Sequence, residues 1–488
     1  MLFSSLSFIF RFLPAFLILY ILIPARFENA VLLIGSLVFY ALGEPVYVFL
    51  MLASILTNYA IARAIDNNYE KKGVRKFYLI LACVFNIGLL LFFKYGGFFA
   101  GIVSDIAGED VGFPELTLPI GISFYTFQIL SYVIDVYRDR SLCEKNVIDL
   151  GAYISMFPQL IAGPIVIYKD IRTRLKERVT KIDLASFESG IALFTVGLGS
   201  KVLLANRFGQ LWDTMAEMGY ENVSVTAAWI GALAYTFQIY FDFNGYSLMA
   251  IGLGRMLGFE FPQNFNMPYI AGSVTDFWKR WHITLTSFFR NYLYIPLGGN
   301  RKGRIRTYLN LFIVWCVTGF WHGADWNFIL WGLYYFVFIA FERLLFNSKE
   351  GLLKRLVDKV KAAFIGGARY RIVRFIKNIF THTYTMAVVI TGWVIFAITD
   401  LEQVGVYIGR MFSPLIGEDG AGMDITSFEN SMYVWLICGI LFSTPLPAKL
   451  YSKVRETPFE AVILLAIFWL SVVQLADGVY NPFLYFRF

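Results

Sequence analysis

Only three histidines occur in this chain of 488 residues, and one of them, His322, stands in FWHGADWNFILW (320–331) among aromatic and aliphatic neighbours. An imidazole with a pKa near 6.5 takes up and returns a proton at neutral pH, which is what a general base must do. Gly319 and Gly323 flank it at i−3 and i+1 and remove side-chain bulk where a substrate would thread past. Thr318, at i−4, shares its helical face and is placed to orient the ring. The competing reading is a histidine that hydrogen-bonds a neighbouring helix. An ionisable residue within an apolar stretch favours function.

His282 lies in TDFWKRWHITLTSFFRNYLYIPLGGNR (275–301), where Trp278, Trp281, Leu285, Phe288 and Phe289 fall at helical spacing with Lys279, Arg280 and Arg290 among them. Two readings fit. One is an interfacial helix anchored by tryptophan and arginine. The other adds a basic surface for a phosphate-bearing donor, which Arg290, Arg301, Lys302 and Arg304 would meet; the same charges serve equally as ordinary cytoplasmic loop residues. His382, in KNIFTHTYTM, reads as structural. Asp242, in FDFNG, is an acid at membrane depth, either a site residue or a helix-packing hydrogen bond.

Other chemistries are excluded by missing patterns. No HxxxH or HExxH pair occurs, so no metal site is expected. GxSxG and GxxxxGK[ST] are absent, and the glycine-rich IGLGRMLG (251–258) ends an apolar run with no βαβ context. Cys83, Cys143, Cys316 and Cys438 are scattered and form no CxxC, so neither a disulfide framework nor a zinc site is expected.

The elements that must position these residues are apolar. The chain is 58% hydrophobic, 18% aromatic and 16% charged, against about 25% charged residues in soluble domains. Its mean hydropathy is +0.60. Apolar runs long enough to cross a bilayer core of about 30 Å recur throughout. They cover 7–24, 29–44, 45–64, 77–96, 118–137, 186–206, 225–257, 307–321, 324–345, 380–399, 431–446 and 459–476. The expected class is all-α, a polytopic integral-membrane helical bundle of about 11–12 transmembrane helices. It is read as one domain over 1–488, with core motifs in 118–345 and C-terminal helices in 380–488. Segment 150–166 is short, holds two prolines and two glycines, and reads as re-entrant. The first apolar run lacks a basic leader and a clear cleavage site, so it reads as a retained helix.

Charge sets the orientation. The linkers 66–76, 168–181, 300–306 and 349–377 are rich in Lys and Arg, whereas 105–115 and 400–430 are acidic. The positive-inside tendency puts the basic linkers in the cytoplasm, both termini outside, and His322 at a turn away from the cytoplasmic surface. The net charge of +7 follows from those loops and not from a nucleic-acid surface. No internal repeat is visible, which weighs against a transporter or flippase.

Three stretches closely resemble the membrane-bound O-acyltransferase family: YFDFNGYSLMAIGLGRMLGFEFPQNFNMPY (240–269), FWKRWHITLTSFFRNYLYIPLGGNRKG (277–303) and TGFWHGADWNFILWG (318–332). LPIGISFYTFQILSYVIDVYR (118–138) and FPQLIAGPI (157–165) agree, and the nearest branch is that of the alginate O-acetylation membrane proteins. The resemblance spans 1–345; beyond it only hydropathy and the aromatic FLYFRF match. It implies a helical bundle with a central funnel-like channel in a bacterial cytoplasmic membrane. It also implies transfer of an acyl group, most simply acetyl from acetyl-coenzyme A, to a hydroxyl presented from outside. An SGNH-type partner would then modify an exopolysaccharide. No tightly bound cofactor and no nucleic acid are implied. An alternative within the family is D-alanyl transfer to teichoic acid from a carrier protein.

Matched motif to motif, His322 takes the family's main catalytic histidine, as general base or stabiliser of developing charge, and burial would keep it neutral. His282 takes the second, supporting histidine. Arg290, Trp281, Asn291, Arg301, Lys302 and Asp242 are the candidates for holding donor or substrate. The chain departs from the family at Asn291, where R-D-Y is usual, and at Leu248, where GYSD is usual. No ion-pair role therefore carries over to either position.

Overall fold

The computed structural model describes residues 1–114, 116–161, 163–177, 183–346, 368–413, 431–478 and 480–484, and every regular element among them is helical. Much of the basic run 349–377, most of the acidic run 400–430 and the last four residues of FLYFRF lie outside the described residues. Among the described residues, six helices are long and apolar enough to cross a membrane: Tyr47–Asn67, Lys72–Ala107, Leu184–Glu217, Trp326–Leu345, Arg371–Ala397 and Pro458–Ala476. Tyr433–Phe442 with Leu446–Val454, bent by 73°, would make a seventh.

The remaining expected spans also fold as helices, but shorter or less apolar ones: Phe8–Leu22, Glu28–Ala41, Ile122–Arg138, Val225–Met256 and Arg304–His322. Ile122–Arg138 shows why an apolar run need not face lipid. Residues 122–133 are buried without a break, polar ones included, so the run is clothed by protein. Segment 150–166 is likewise buried wherever it is described, as Val147–Ser155, a single turn Phe157–Leu160 and irregular backbone. Burial in protein is the condition under which such backbone is tolerated.

Two compact units divide the chain. The first comprises Met1–Leu203, Asp242–Gln263 and Ala461–Phe488. Its organising feature is a glycine seam between Leu184–Gly199 and the second half of Val225–Met256. A Cβ on Gly190 would stand 2.7 Å from the Gly252 carbonyl oxygen, and one on Gly197 would stand 2.5 Å from that of Gly245. The two backbones touch, so nothing larger than glycine fits at either crossing. Both pairs are seven residues apart along their helices, running in opposite directions. The next step along the seam sets Lys201 against Asp242, with Nζ and Oδ1 2.9 Å apart and both side chains buried. Lys201 also donates to the Pro482 carbonyl, and Asp242 Oδ2 accepts the Leu484 N–H at 2.9 Å. Phe483 packs on Tyr246, which stacks on Phe3 with centroids 4.5 Å apart.

The second unit comprises Leu204–Phe241 and Asn264–Glu460. Its centre is the hairpin of Arg304–His322 and Trp326–Phe346. Here too glycine permits contact: a Cβ on Gly319 would meet the Phe328 carbonyl oxygen at 2.3 Å, and one on Gly332 that of Trp315 at 2.5 Å. The helix Ala368–Ala397 adds Trp393 and Phe396 beside Trp331, at 6.2 Å and 5.3 Å. In Leu401–Phe412, capped by Asp400, Tyr407 donates to the Ala228 carbonyl at 2.8 Å.

Breaking a buried pair by removing one partner costs about 3–5 kcal/mol, because the other charge is left uncompensated. Asp242→Leu and Lys201→Met should each therefore lower the thermal midpoint of the detergent-solubilised protein markedly. The double variant should recover much of the loss. A double variant no more stable than the worse single one would show that the two charges do not act as a pair.

Candidate active site

The stretch that carries His282 is not one amphipathic helix, contrary to the interfacial helix that its spacing predicts. It is two short helices, Val274–Arg280 and Ile283–Phe289, broken at Trp281–His282. Trp278, Trp281, Leu285, Phe288 and Phe289 are all buried in protein. The first helix is capped at its start by Ser273, whose Oγ accepts the Asp276 N–H. It is held harder by Glu342, a buried carboxylate on Trp326–Phe346. Glu342 accepts the N–H of Val274 at 2.6 Å, the N–H of Thr275 at 2.9 Å and the Thr275 hydroxyl at 2.6 Å. Three hydrogen bonds to one carboxylate offset the cost of burying it.

At the break, His282 adopts φ 44° and ψ 55°, a left-handed conformation uncommon for a residue with a Cβ. Asn264 holds it there. The Asn264 carbonyl oxygen accepts the Ile283 N–H at 2.9 Å. Its side-chain Oδ1 accepts the Thr284 N–H at 3.3 Å and the Thr284 hydroxyl at 2.9 Å, and lies 3.0 Å from His282 Nδ1. His282 is 1% exposed. Burial pushes its pKa down to about 3, so the ring is neutral at physiological pH.

His322 is the last residue of Arg304–His322 and is 8% exposed. Its ring stands nearly perpendicular to Trp331 and Phe396, with centroids at 4.9 Å and 5.2 Å. Asn327 keeps that wall in place by donating to the carbonyls of Ile395 and Phe396, each at 3.2 Å. The flanking glycines serve packing and not passage. Phe328 fills the space beside Gly323, where a Cβ would meet its ring at 2.0 Å, and the hairpin partner fills that beside Gly319. The Thr318 hydroxyl bonds back to Val314 O at 2.7 Å and not to the ring.

The two histidines, forty residues apart in sequence, meet at one indole. Trp321 lies 4.9 Å from the His322 ring and 6.2 Å from that of His282. Trp281 packs against Trp393 at 4.7 Å and Phe265 at 5.0 Å. A buried imidazole at His322 within an aromatic wall is suited to moving a proton to or from a hydroxyl or a leaving thiol, and the neutral ring of His282 beside it to hydrogen bonding.

The remaining candidates are distributed differently. Arg290 and Asn291 open a π-helical turn, Arg290–Tyr294, and are exposed, as are Arg301 and Lys302. Asp242, in the first unit, has its carboxylate taken up by Lys201 and the Leu484 amide. His382 donates from Nδ1 to the Ala271 carbonyl at 3.1 Å, a structural bond. Sequence reasoning did not single out Asn264, Glu342 or Lys201. The signal for Lys201 was present, since it is a solitary charge well inside an apolar run, whereas Glu342 stands beside Arg343 near the end of its run.

A model of the membrane-bound O-acyltransferase family matches residues 138–384. The chain is 34% identical to the probable alginate O-acetylase AlgI of Pseudomonas putida over the whole of both chains. It is 40% identical to that of Pseudomonas aeruginosa over 85% of this chain and 75% of the relative. It is 35% identical to the peptidoglycan O-acetyltransferase of Helicobacter pylori over 70% of each.

Two outcomes are expected. Glu342→Ala removes the acceptor of three hydrogen bonds and should loosen Val274–Arg280, raising hydrogen exchange at Val274 and Thr275 while Leu401–Phe412 stays protected. Equal exchange in variant and wild type would refute the anchoring. For His282, the unfolded imidazole titrates near 6.5 and the folded one near 3. Between these values the unfolded chain binds the extra proton, so this contribution is fully favourable above about pH 6.5 and is lost as pH falls toward 3. The thermal midpoint should thus drop more between pH 7.5 and pH 5 in wild type than in His282→Gln.

Proposed function

The chain belongs to the membrane-bound O-acyltransferase family and is a multi-pass membrane O-acyltransferase, and on that premise we propose that it passes an acetyl group from cytoplasmic acetyl-coenzyme A to an extracytoplasmic hydroxyl. The acetyl group is then destined for an exopolysaccharide by way of an SGNH-type partner, in a bacterial cytoplasmic membrane. The observation that carries this reading is the convergence of His282 and His322 on Trp321 inside a buried aromatic wall. Relatives named for O-acetylation of alginate and of peptidoglycan support acetyl as the group and a glycan as its destination.

His322 acts as general base. Its imidazole takes the proton of the attacking hydroxyl, and the oxygen forms a bond to the thioester carbonyl carbon. The carbon–sulfur bond breaks, and the proton passes to the departing thiolate, giving an ester and free coenzyme A. The aromatic wall of Trp331, Phe396 and Trp321 limits water that would otherwise hydrolyse the thioester. Arg290, Arg301 and Lys302 are solvent-exposed and available to the phosphates of the donor. Trp281 and Asn291 belong to the same stretch of chain and are assigned to the donor side.

The test uses the full chain in nanodiscs with radiolabelled acetyl-coenzyme A and a candidate SGNH partner. Wild type should release coenzyme A and move label to the partner. His322→Ala should lose about a hundredfold or more of that rate while still binding donor. Equal transfer by both would remove His322 from the chemistry. Donor left unbound and unused by wild type would overturn acetyl-coenzyme A as the donor.

A further inference from the structure

We propose that Asn264 is a positioning residue that holds His282 as the tautomer protonated at Nδ1, so that His282 meets the reactants through the lone pair of Nε2, as acceptor of a hydrogen bond from an O–H or N–H group. The proposal rests on the reading of this site as the acyltransfer centre.

The assignment follows from what each atom is able to do. A backbone N–H only donates, and the Thr284 N–H points at one atom of the Asn264 amide at 3.3 Å. That atom is therefore the carbonyl oxygen, and the opposite flip would set an NH2 against an N–H. The Thr284 hydroxyl, 2.9 Å from the same oxygen, is satisfied in the same way. His282 Nδ1 lies 3.0 Å from that oxygen, so Nδ1 carries the hydrogen. A neutral imidazole with its proton on Nδ1 has a lone pair on Nε2. The ring is 1% exposed and neutral at physiological pH.

The backbone points the same way. Left-handed conformations of residues with a Cβ persist only where the surroundings over-determine them, and they gather at functional sites. At His282 one neighbour meets three consecutive residues. Asn264 receives Ile283 on its main chain and Thr284 and His282 on its side chain. The same clamp that holds the kink also chooses the tautomer.

A consequence for mechanism is that His282 does not donate from Nε2 and so does not stabilise the thioester oxyanion through that atom. What it takes is a donor group, of which the reaction offers two kinds: the hydroxyl of the acceptor and the amide N–H groups of the donor's pantetheine arm.

Three histidines in the chain make the test direct. Full-length protein labelled with nitrogen-15 histidine in nanodiscs gives three ring signatures, and the one missing from His282→Gln is that of His282. At pH 7, without substrate, its Nδ1 should be protonated and its Nε2 bare. A ring protonated at Nε2, or at both nitrogens, overturns the proposal. In Asn264→Leu the Nε2–H form should appear, and acetyl transfer should fall about a hundredfold. Unchanged tautomer and turnover in that variant would equally overturn it, and the wild-type spectrum decides the matter if the variant does not fold. Adding a non-transferable acetyl-coenzyme A analogue shifts the Nε2 signal if the amide arm is the group accepted. Adding the SGNH partner alone shifts it if the hydroxyl is. No shift with either removes the acceptor role. The expected tautomer without any acetyl transfer in wild type would count against the functional reading and leave the Asn264 assignment standing.

Discussion

Contact between backbones at glycine is the constraint from which both units are built. In lipid, helices gain nothing from hiding apolar surface, so their association rests on close packing and internal hydrogen bonds. Gly190 against Gly252 and Gly197 against Gly245 bring two helices near enough for Lys201 to reach Asp242. Gly319 against Gly332 does the corresponding work in the hairpin that ends at His322. With a methyl group at any of these crossings the helices would separate, and the groups that their approach brings together would lose each other. The run IGLGRMLG owes part of its glycine content to this: Gly252 is a crossing, and Gly258 turns the chain at φ 79°.

The second constraint is that a buried charge must be given hydrogen bonds. Glu342 takes two amides and a hydroxyl; Asp242 takes an ammonium and an amide. In each case a buried charge on a helix fixes the end of a segment distant in sequence. For Glu342 that segment leads directly into Trp281 and His282. Arg290, Arg301 and Lys302, which are exposed, carry no such burden.

The all-α class and the two histidine motifs were legible in the sequence because hydropathy and aromatic spacing are local properties. His322 ends its helix at the turn between the runs 307–321 and 324–345. What stayed hidden depends on partners far along the chain. The break at His282 is dictated by Asn264, eighteen residues earlier, while the local spacing of Trp278, Trp281 and Leu285 favours a continuous helix. Likewise, the run 118–137 reads as a membrane span, and hydropathy does not distinguish a helix clothed by lipid from one clothed by protein. Gly319 and Gly323 were legible as sites of missing bulk, but whether a ligand or a neighbouring helix fills that space is a tertiary fact.

The capture of Leu484 by Asp242 bears on how the chain is made. The ribosome delivers Lys201 and Asp242 long before the residues that complete their environment: Leu484 follows Asp242 by 242 positions, and Pro482 follows Lys201 by 281. Chains emerge from the N-terminus onward, so through about half of synthesis the first unit holds a lysine and an aspartate before Pro482 and Leu484 exist. Its closure is a late event in biogenesis. A nascent chain halted short of residue 480 would carry two helices already in contact at glycine around an ion pair that lacks the bonds from Pro482 and Leu484.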